Sequence, residues 1–423
     1  MNWISILFFS ISFFILGSIL KKGVDIVSPG RIFAFTWSVV LGLANLKLSR
    51  IQAEWSIFDW VFIMMGPSAF LLGIYIINVM NIGVRLHSVN DIRTIIRNQK
   101  IDEKKLFLLI IILFVTYIIG YSIIYLVKGY IPIFSNRPAA ARIDYYIFGV
   151  GLLTHNMPII LFFSVFYLIV VPNNKNRKLV LKLFIFITTM TYFFLLQRYQ
   201  LLMVSVMIFI FIYYTTRYVK FKTVIIFLLI AAIIIYFISS MRAGKIVQSV
   251  LYITSEMKFS SKYAIFTEPY MYLVMNVENF IRAVNHLDHN TYGYFTFDFA
   301  LAITGLKHWI SNYFNIVENP YLISGYNTYT FFWIYYRDFG IIGLTFIPLI
   351  YGLLVGGLYY SIRRYPTLET VSFYGIVTFL ILFSFFLNPV GFLWFVYILI
   401  WFVFIFKVIR IDNIDNAVLK SHY

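Results

Sequence analysis

The sequence predicts an all-helical protein threaded repeatedly through a membrane, and three observations predict it. Hydrophobic residues make up 61% of the chain and charged ones 12%, where soluble domains carry about a quarter charged. The mean hydropathy of +0.85 holds along the whole length, with no long polar block to house a soluble nucleotide-binding or DNA-binding domain. Apolar stretches of about 17 to 27 residues, the length that crosses a hydrocarbon core of ~30 Å, recur from one end to the other.

In order, the stretches run at about 2 to 20, 31 to 47, 57 to 78, 106 to 127, 145 to 171, 183 to 197, 199 to 214, 223 to 241, 339 to 360, 368 to 388 and 391 to 406. That is about eleven transmembrane helices in one polytopic domain, residues 1–423. The first has no lysine or arginine before it, Lys21 and Lys22 after it, and no small-residue cleavage site. It reads as a retained anchor with the N-terminus outside. The stretches at 183 to 197 and 199 to 214 are short enough to be tilted or incomplete.

Threading alternate sides from that start puts 21 of the 34 lysines and arginines inside and leaves the C-terminus cytoplasmic. Every inner loop is then basic, as the positive-inside rule requires. The net charge of +17 is therefore read as orientation and contact with anionic lipid rather than as a nucleic-acid footprint. The chain has no cysteine, which excludes disulfides, thiolate metal sites and cysteine nucleophiles.

Residues 242–338 form the longest non-spanning segment, and on this threading they lie outside. Long connections of this kind are usually functional. Tyrosine, phenylalanine and tryptophan run through it, with apolar spacing near 250 to 257, 270 to 284 and 297 to 314 that suits short helices on the membrane surface. The expectation is a folded extracytoplasmic cap.

Arginines mark the outer half: Arg137 and Arg142, Arg198 in the tight connection Leu196-Gln197-Arg198-Tyr199-Gln200, Arg242, Arg282 and Arg337. Arg198 lies between two apolar runs with almost no loop, so its guanidinium is held at or below the outer interface. Such a charge costs several kcal/mol unless an anion or carboxylate meets it or the side chain snorkels to headgroups. Its planar fork suits bidentate phosphate. The cap also carries candidate general bases in Glu278, His289 and Asp338, each able to accept a hydroxyl proton or to serve as solvated loop polarity. His286-Leu287-Asp288-His289 lacks the helical spacing of a zinc protease, and neither a metal nor a cofactor is expected. His155-Asn156, ahead of Pro158, reads as polar groups satisfying one another between helices. No P-loop, dinucleotide fingerprint or Gly-x-Ser-x-Gly elbow is present, so the substrate should already be membrane-anchored.

The chain resembles bacterial oligosaccharide repeat-unit polymerases of the O-antigen and capsule type, the Wzy-like proteins. The resemblance is carried by Phe194-Leu195-Leu196-Gln197-Arg198 before an apolar helix, Arg242-Ala243-Gly244 closing a span, and Tyr292-Gly293 in the cap. Above all it is carried by Gly325-Tyr326-Asn327-Thr328-Tyr329 leading to Tyr336-Arg337-Asp338-Phe339-Gly340 at a helix start. It implies a GT-C-like polytopic glycosyltransferase in the bacterial cytoplasmic (inner) membrane, moving a glycan from undecaprenyl pyrophosphate onto another lipid-linked repeat unit on the outer side. The donor and acceptor lipids would be its partners, with a chain-length regulator and a flippase nearby. Arg198 and Arg242, with Arg142, would correspond to the pyrophosphate grip, although the paired Arg-x(10)-Gly loops of some members are missing. Arg137, Arg337, Asn327 and Tyr329 join the expected substrate-binding set. An O-antigen ligase uses the same donor with another acceptor and is kept open by His289-Asn290. A lipid-oligosaccharide flippase, from another class, would place its cations along a two-sided cavity.

Overall fold

The computed structural model describes residues 3–19, 24–172, 174–217, 246–317 and 319–411. Among these residues the fold is all-helical, and pairing between extended segments is limited to two isolated bridges, Ser49 with Met257 and Ile101 with Arg410. Four helical segments are long and apolar enough to cross a membrane: Ile57–Met80, Glu103–Phe134, Gly151–Val170 and Trp333–Arg364. Five shorter apolar helices accompany them. Seventeen helical residues rise about 25 Å, so these shorter ones would need flanking side chains or local thinning to span. The expected stretch at 223 to 241, and Arg242 after it, lie outside the described residues.

Contacts divide the chain into two units. The first comprises residues 1–92, 239–366 and 374–396. Its first helices are α1 (Trp3–Ile19), α2 (Pro29–Ala44) and α3 (Ile57–Met80), the last begun by a capping box in which Ser56 and Asp59 exchange hydrogen bonds. The second comprises residues 93–238, 367–373 and 397–423. It is built on α5 (Glu103–Lys128), α6 (Pro138–Asp144), α7 (Gly151–Thr154), α8 (Met157–Val170), α9 (Lys175–Phe194) and α10 (Tyr199–Thr215). Before it stands α4 (Val89–Arg97), an amphipathic helix with Ile92 and Ile96 buried.

The cap segment of unit 1 forms α11 (Ile246–Thr254), a 3-10 stretch, α12 (Thr267–His286), α13 (Asp298–Thr304) and α14 (Leu306–Tyr313). The three expected apolar runs are therefore helical. The main one, however, does not lie on a surface. Thirteen of the 20 residues of α12 are buried, and Val277, Phe280, Ile281 and Val284 enter one core with Phe33, Trp37 and Phe70 of α2 and α3. The surface-helix expectation fails there because the polar residues of α12 find partners inside, as described below.

The remaining helices are α15 (Trp333–Arg364), α16 (Leu368–Leu382) and α17 (Leu393–Ile409). Within unit 1, α3 and α15 touch backbone to backbone. A Cβ at Gly73 would lie 2.3 Å from the Leu349 carbonyl oxygen, and one at Gly352 would lie 2.1 Å from that of Phe70. Lipid offers no hydrophobic drive to join helices, so such small-residue seams supply contact by letting backbones approach. Near its start α15 is broken at Gly340, whose φ of 61° and ψ of −143° are accessible to glycine and hardly to any other residue.

Unit 2 is held by aromatic packing. Phe162 and Phe163 of α8 lie 5.1 and 4.9 Å from Phe402, and Phe166 stacks on Phe211 at 5.0 Å. The break between α7 and α8 falls at His155 and Asn156, while Pro158 sits in the first turn of α8, where its missing N–H costs nothing. Asn156 meets the expectation of mutual satisfaction: it donates to Thr116 at 2.9 Å and accepts from the Tyr397 hydroxyl at 2.6 Å.

Candidate functional site

The expected site residues of unit 1 fall into two separate networks. The first is centred on Glu278, which is buried midway along α12 and meets Lys47 at 2.5 Å. Trp55 donates to its other oxygen at 3.1 Å, Gln52 donates at 3.2 Å, and the Lys47 ammonium lies 3.5 Å from the centre of a Trp55 ring. Burial pulls the Lys47 pKa below its ordinary 10.5, and the neighbouring Glu278 carboxylate opposes that shift. The network ties the cap helix to the loop between α2 and α3. Removing one partner strands the other charge, so Lys47→Met is expected to lower stability by about 3–5 kcal/mol. Thermal unfolding in detergent checks this, and adding Glu278→Gln should recover part of the loss.

The second network surrounds Asp338, which has no exposed surface. One carboxylate oxygen accepts from the Thr291 hydroxyl at 2.5 Å and the Phe295 amide at 3.3 Å, and the other from the amide and hydroxyl of Thr296, both at 2.6 Å. The backbones join too: the Thr291 and Tyr292 amides donate to the Arg337 and Asp338 carbonyls, each at 3.0 Å. Tyr292-Gly293 and Arg337-Asp338-Phe339-Gly340, two motifs 45 positions apart in the chain, thus form one clamp at the Gly340 break. An acceptor hydroxyl would have to displace one of these donors to reach Asp338.

Arg337 is buried, stacked 3.9 Å over the Phe295 ring and hydrogen-bonded to the Val317 carbonyl. Tyr329 is buried as well, donating to the Pro320 carbonyl and stacking on Trp333 at 4.9 Å. Asn327 and His289 are exposed. Asn279 of α12 pins the strap that carries Asn327, donating to the Thr328 carbonyl at 2.9 Å and accepting from the Ile323 amide at 3.0 Å.

Unit 2 holds a cavity of about 230 Å³, lined by Arg142, Tyr145, Tyr146, Thr154, His155 and Gln197 among others. Several loops build it. The hairpin between α9 and α10 turns through Leu196, whose φ of 57° is unusual for leucine, and brings Gln197 to the wall with Arg198 as the residue preceding α10. Arg142 comes from α6, and Asp144 at the end of that helix accepts from Tyr130 at 2.8 Å and Lys128 at 3.1 Å. Those two contacts hold the Asp144 pKa below the ordinary carboxylate value, the tyrosine bond foremost. Tyr145 is buried, and its hydroxyl has no hydrogen-bond partner among the described residues. Burial pushes that phenol up to about 12, so it is a donor at neutral pH.

The fold therefore brings Arg142 together with Gln197, next to Arg198, while Arg137 sits exposed at the start of α6. His155, Tyr145 and Tyr146 belong to the pocket, although the sequence reading passed over the tyrosines and gave His155 a structural part. No local signal marked His155, since it meets Gln200 45 positions away. No family model, curated protein or solved structure matches the chain.

Proposed function

We propose that the chain is a polytopic glycosyltransferase that polymerises undecaprenyl-pyrophosphate-linked oligosaccharide repeat units on the outer side of a bacterial cytoplasmic membrane. The observation that carries this reading is the unit 2 pocket, where Arg142 and uncharged N–H and O–H donors converge beside the Arg198 hairpin at the ends of apolar helices. Pyrophosphate is already a good leaving group. Catalysis then needs donors that meet the charge as it departs, and a base for the acceptor hydroxyl as its oxygen attacks the anomeric carbon. Arg142 and Arg198 take the first part.

Of the candidate bases named from the sequence, His289 is the most accessible. It is exposed, whereas Glu278 and Asp338 are buried with their oxygens already hydrogen-bonded. The segregation of charge within unit 2 supports the outward placement of the pocket. Its opposite end gathers Arg93 on the Tyr213 carbonyl and Arg177 on Glu103, as the positive-inside rule asks of a cytoplasmic face.

The lipid-linked glycans that accumulate in a deletion strain test the reading. A polymerase predicts single repeat units attached to their final acceptor. Long unattached chains would make the protein a ligase, and material trapped on the inner leaflet would make it a flippase.

A further inference from the structure

Within the pocket, a chain of hydrogen bonds runs inward from the α9–α10 hairpin. The Tyr192 hydroxyl lies 2.9 Å from the side-chain oxygens of both Gln197 and Gln200. With the single hydroxyl hydrogen given to Gln200 and the Gln197 amide turned to donate to the hydroxyl oxygen, the Gln200 side chain presents its NH₂ group to His155 Nδ1, and the two atoms are in hydrogen-bond contact. An imidazole that accepts at Nδ1 carries its proton on Nε2. We propose that the pocket seats a phosphoryl group, and that the Tyr192–Gln200 relay fixes His155 as a neutral N–H donor to its oxygens.

Three features point to such a ligand. The cavity, about 230 Å³, is large enough for a compact oxyanion. Arg142 supplies a fork of donors suited to phosphate. The buried Tyr145 hydroxyl has no partner among the described residues, and a buried donor left unmade is costly unless a ligand or water completes it. His155 would be a direct contact, and Tyr192 and Gln200 positioning residues. The proposal rests on the glycosyltransferase reading for the identity of the natural ligand, but the phosphoryl chemistry stands by itself.

The test is a calorimetric titration of sodium pyrophosphate into the purified full-length chain in nanodiscs of phosphatidylcholine and, separately, in phosphate-free dodecyl maltoside. His155→Leu should weaken binding about tenfold, the worth of one hydrogen bond to a charged group. His155→Gln, which keeps a donor, should stay within about threefold of the parent. Tyr192→Phe should weaken binding in the parent and change nothing in the His155→Gln background, because a glutamine needs no tautomer fixed. Unaltered binding in His155→Leu would overturn the seat. A folded His155→Gln as weak as His155→Leu would overturn the donor assignment. Affinity equal in the nanodiscs and in the detergent identifies a pyrophosphoryl ligand, and affinity several-fold higher in the detergent identifies a lipid headgroup phosphate as the occupant that pyrophosphate displaces. A chain that binds pyrophosphate this way while its deletion leaves polymer unchanged would remove the polymerase reading and leave the phosphoryl seat standing.

Discussion

Arg198→Lys is expected to reduce chain extension by about two orders of magnitude while leaving membrane insertion intact. The side chain is half-buried at the head of α10, beside a hairpin whose flanking residues Leu195 and Leu196 are buried. Lysine keeps the charge there but replaces a planar fork of five donors by a point charge that holds its water more tightly. On the proposed mechanism the lost contact is one made most strongly to the departing pyrophosphate, and removing a single such donor typically costs ~10²–10³ in rate. Polymer length and initial rate with a synthetic lipid-linked repeat unit measure it. Polymer of parental length from the lysine variant would reduce Arg198 to a headgroup anchor.

The second large effect concerns folding. Gly352→Val should abolish most of the folded, detergent-soluble protein, because the new Cβ would sit 2.1 Å from the Phe70 carbonyl oxygen and 3.0 Å from the Gly73 Cα. Those are backbone atoms of a neighbouring helix, and they can yield only if α3 and α15 separate. Overpacking commonly costs about 1–3 kcal/mol, and contacts of this rigidity fall at or beyond the upper end. Gly357→Val is the control. It lies on the same helix with nothing within 4 Å of its added Cβ, so it carries the same change in helix propensity without the collision. Size-exclusion profiles of the two variants should differ sharply, and matching profiles would show that the seam can open.

Most of the described helices were legible because apolar length is a local property: the expected runs at 57 to 78 and 106 to 127 became Ile57–Met80 and Glu103–Lys128. The cap helices were legible for the same reason. Burial of α12 was not, since Glu278 reads as a candidate base or as solvated loop polarity until its partners are known. Lys47 stands 231 positions from Glu278, and the Thr328 carbonyl 49 from Asn279, so no window of sequence contains both halves. The motif Tyr336-Arg337-Asp338-Phe339-Gly340 was visible as a motif, but its role was not. What it does depends on Thr291 and Thr296, which carry no signature of their own. Arg142 was named from charge and position, whereas His155 was discounted because an adjacent proline offered a sufficient local explanation.

The clamp at Gly340 also turns one carboxylate into a gauge of cap breathing. The amides of Phe295 and Thr296 both end on Asp338, so their deuterium uptake reports whether residues 291–297 are seated against α15. Asp338→Asn, which offers one oxygen where there were two, should speed exchange at those two amides well before it changes exchange in the α12 core. The interval between those two exchange regimes is the free energy available for the cap to lift while the rest of unit 1 stays folded. On the proposed function, a glycan growing by repeated transfer would enter and leave between additions, and the strength of this latch would set how often that passage opens.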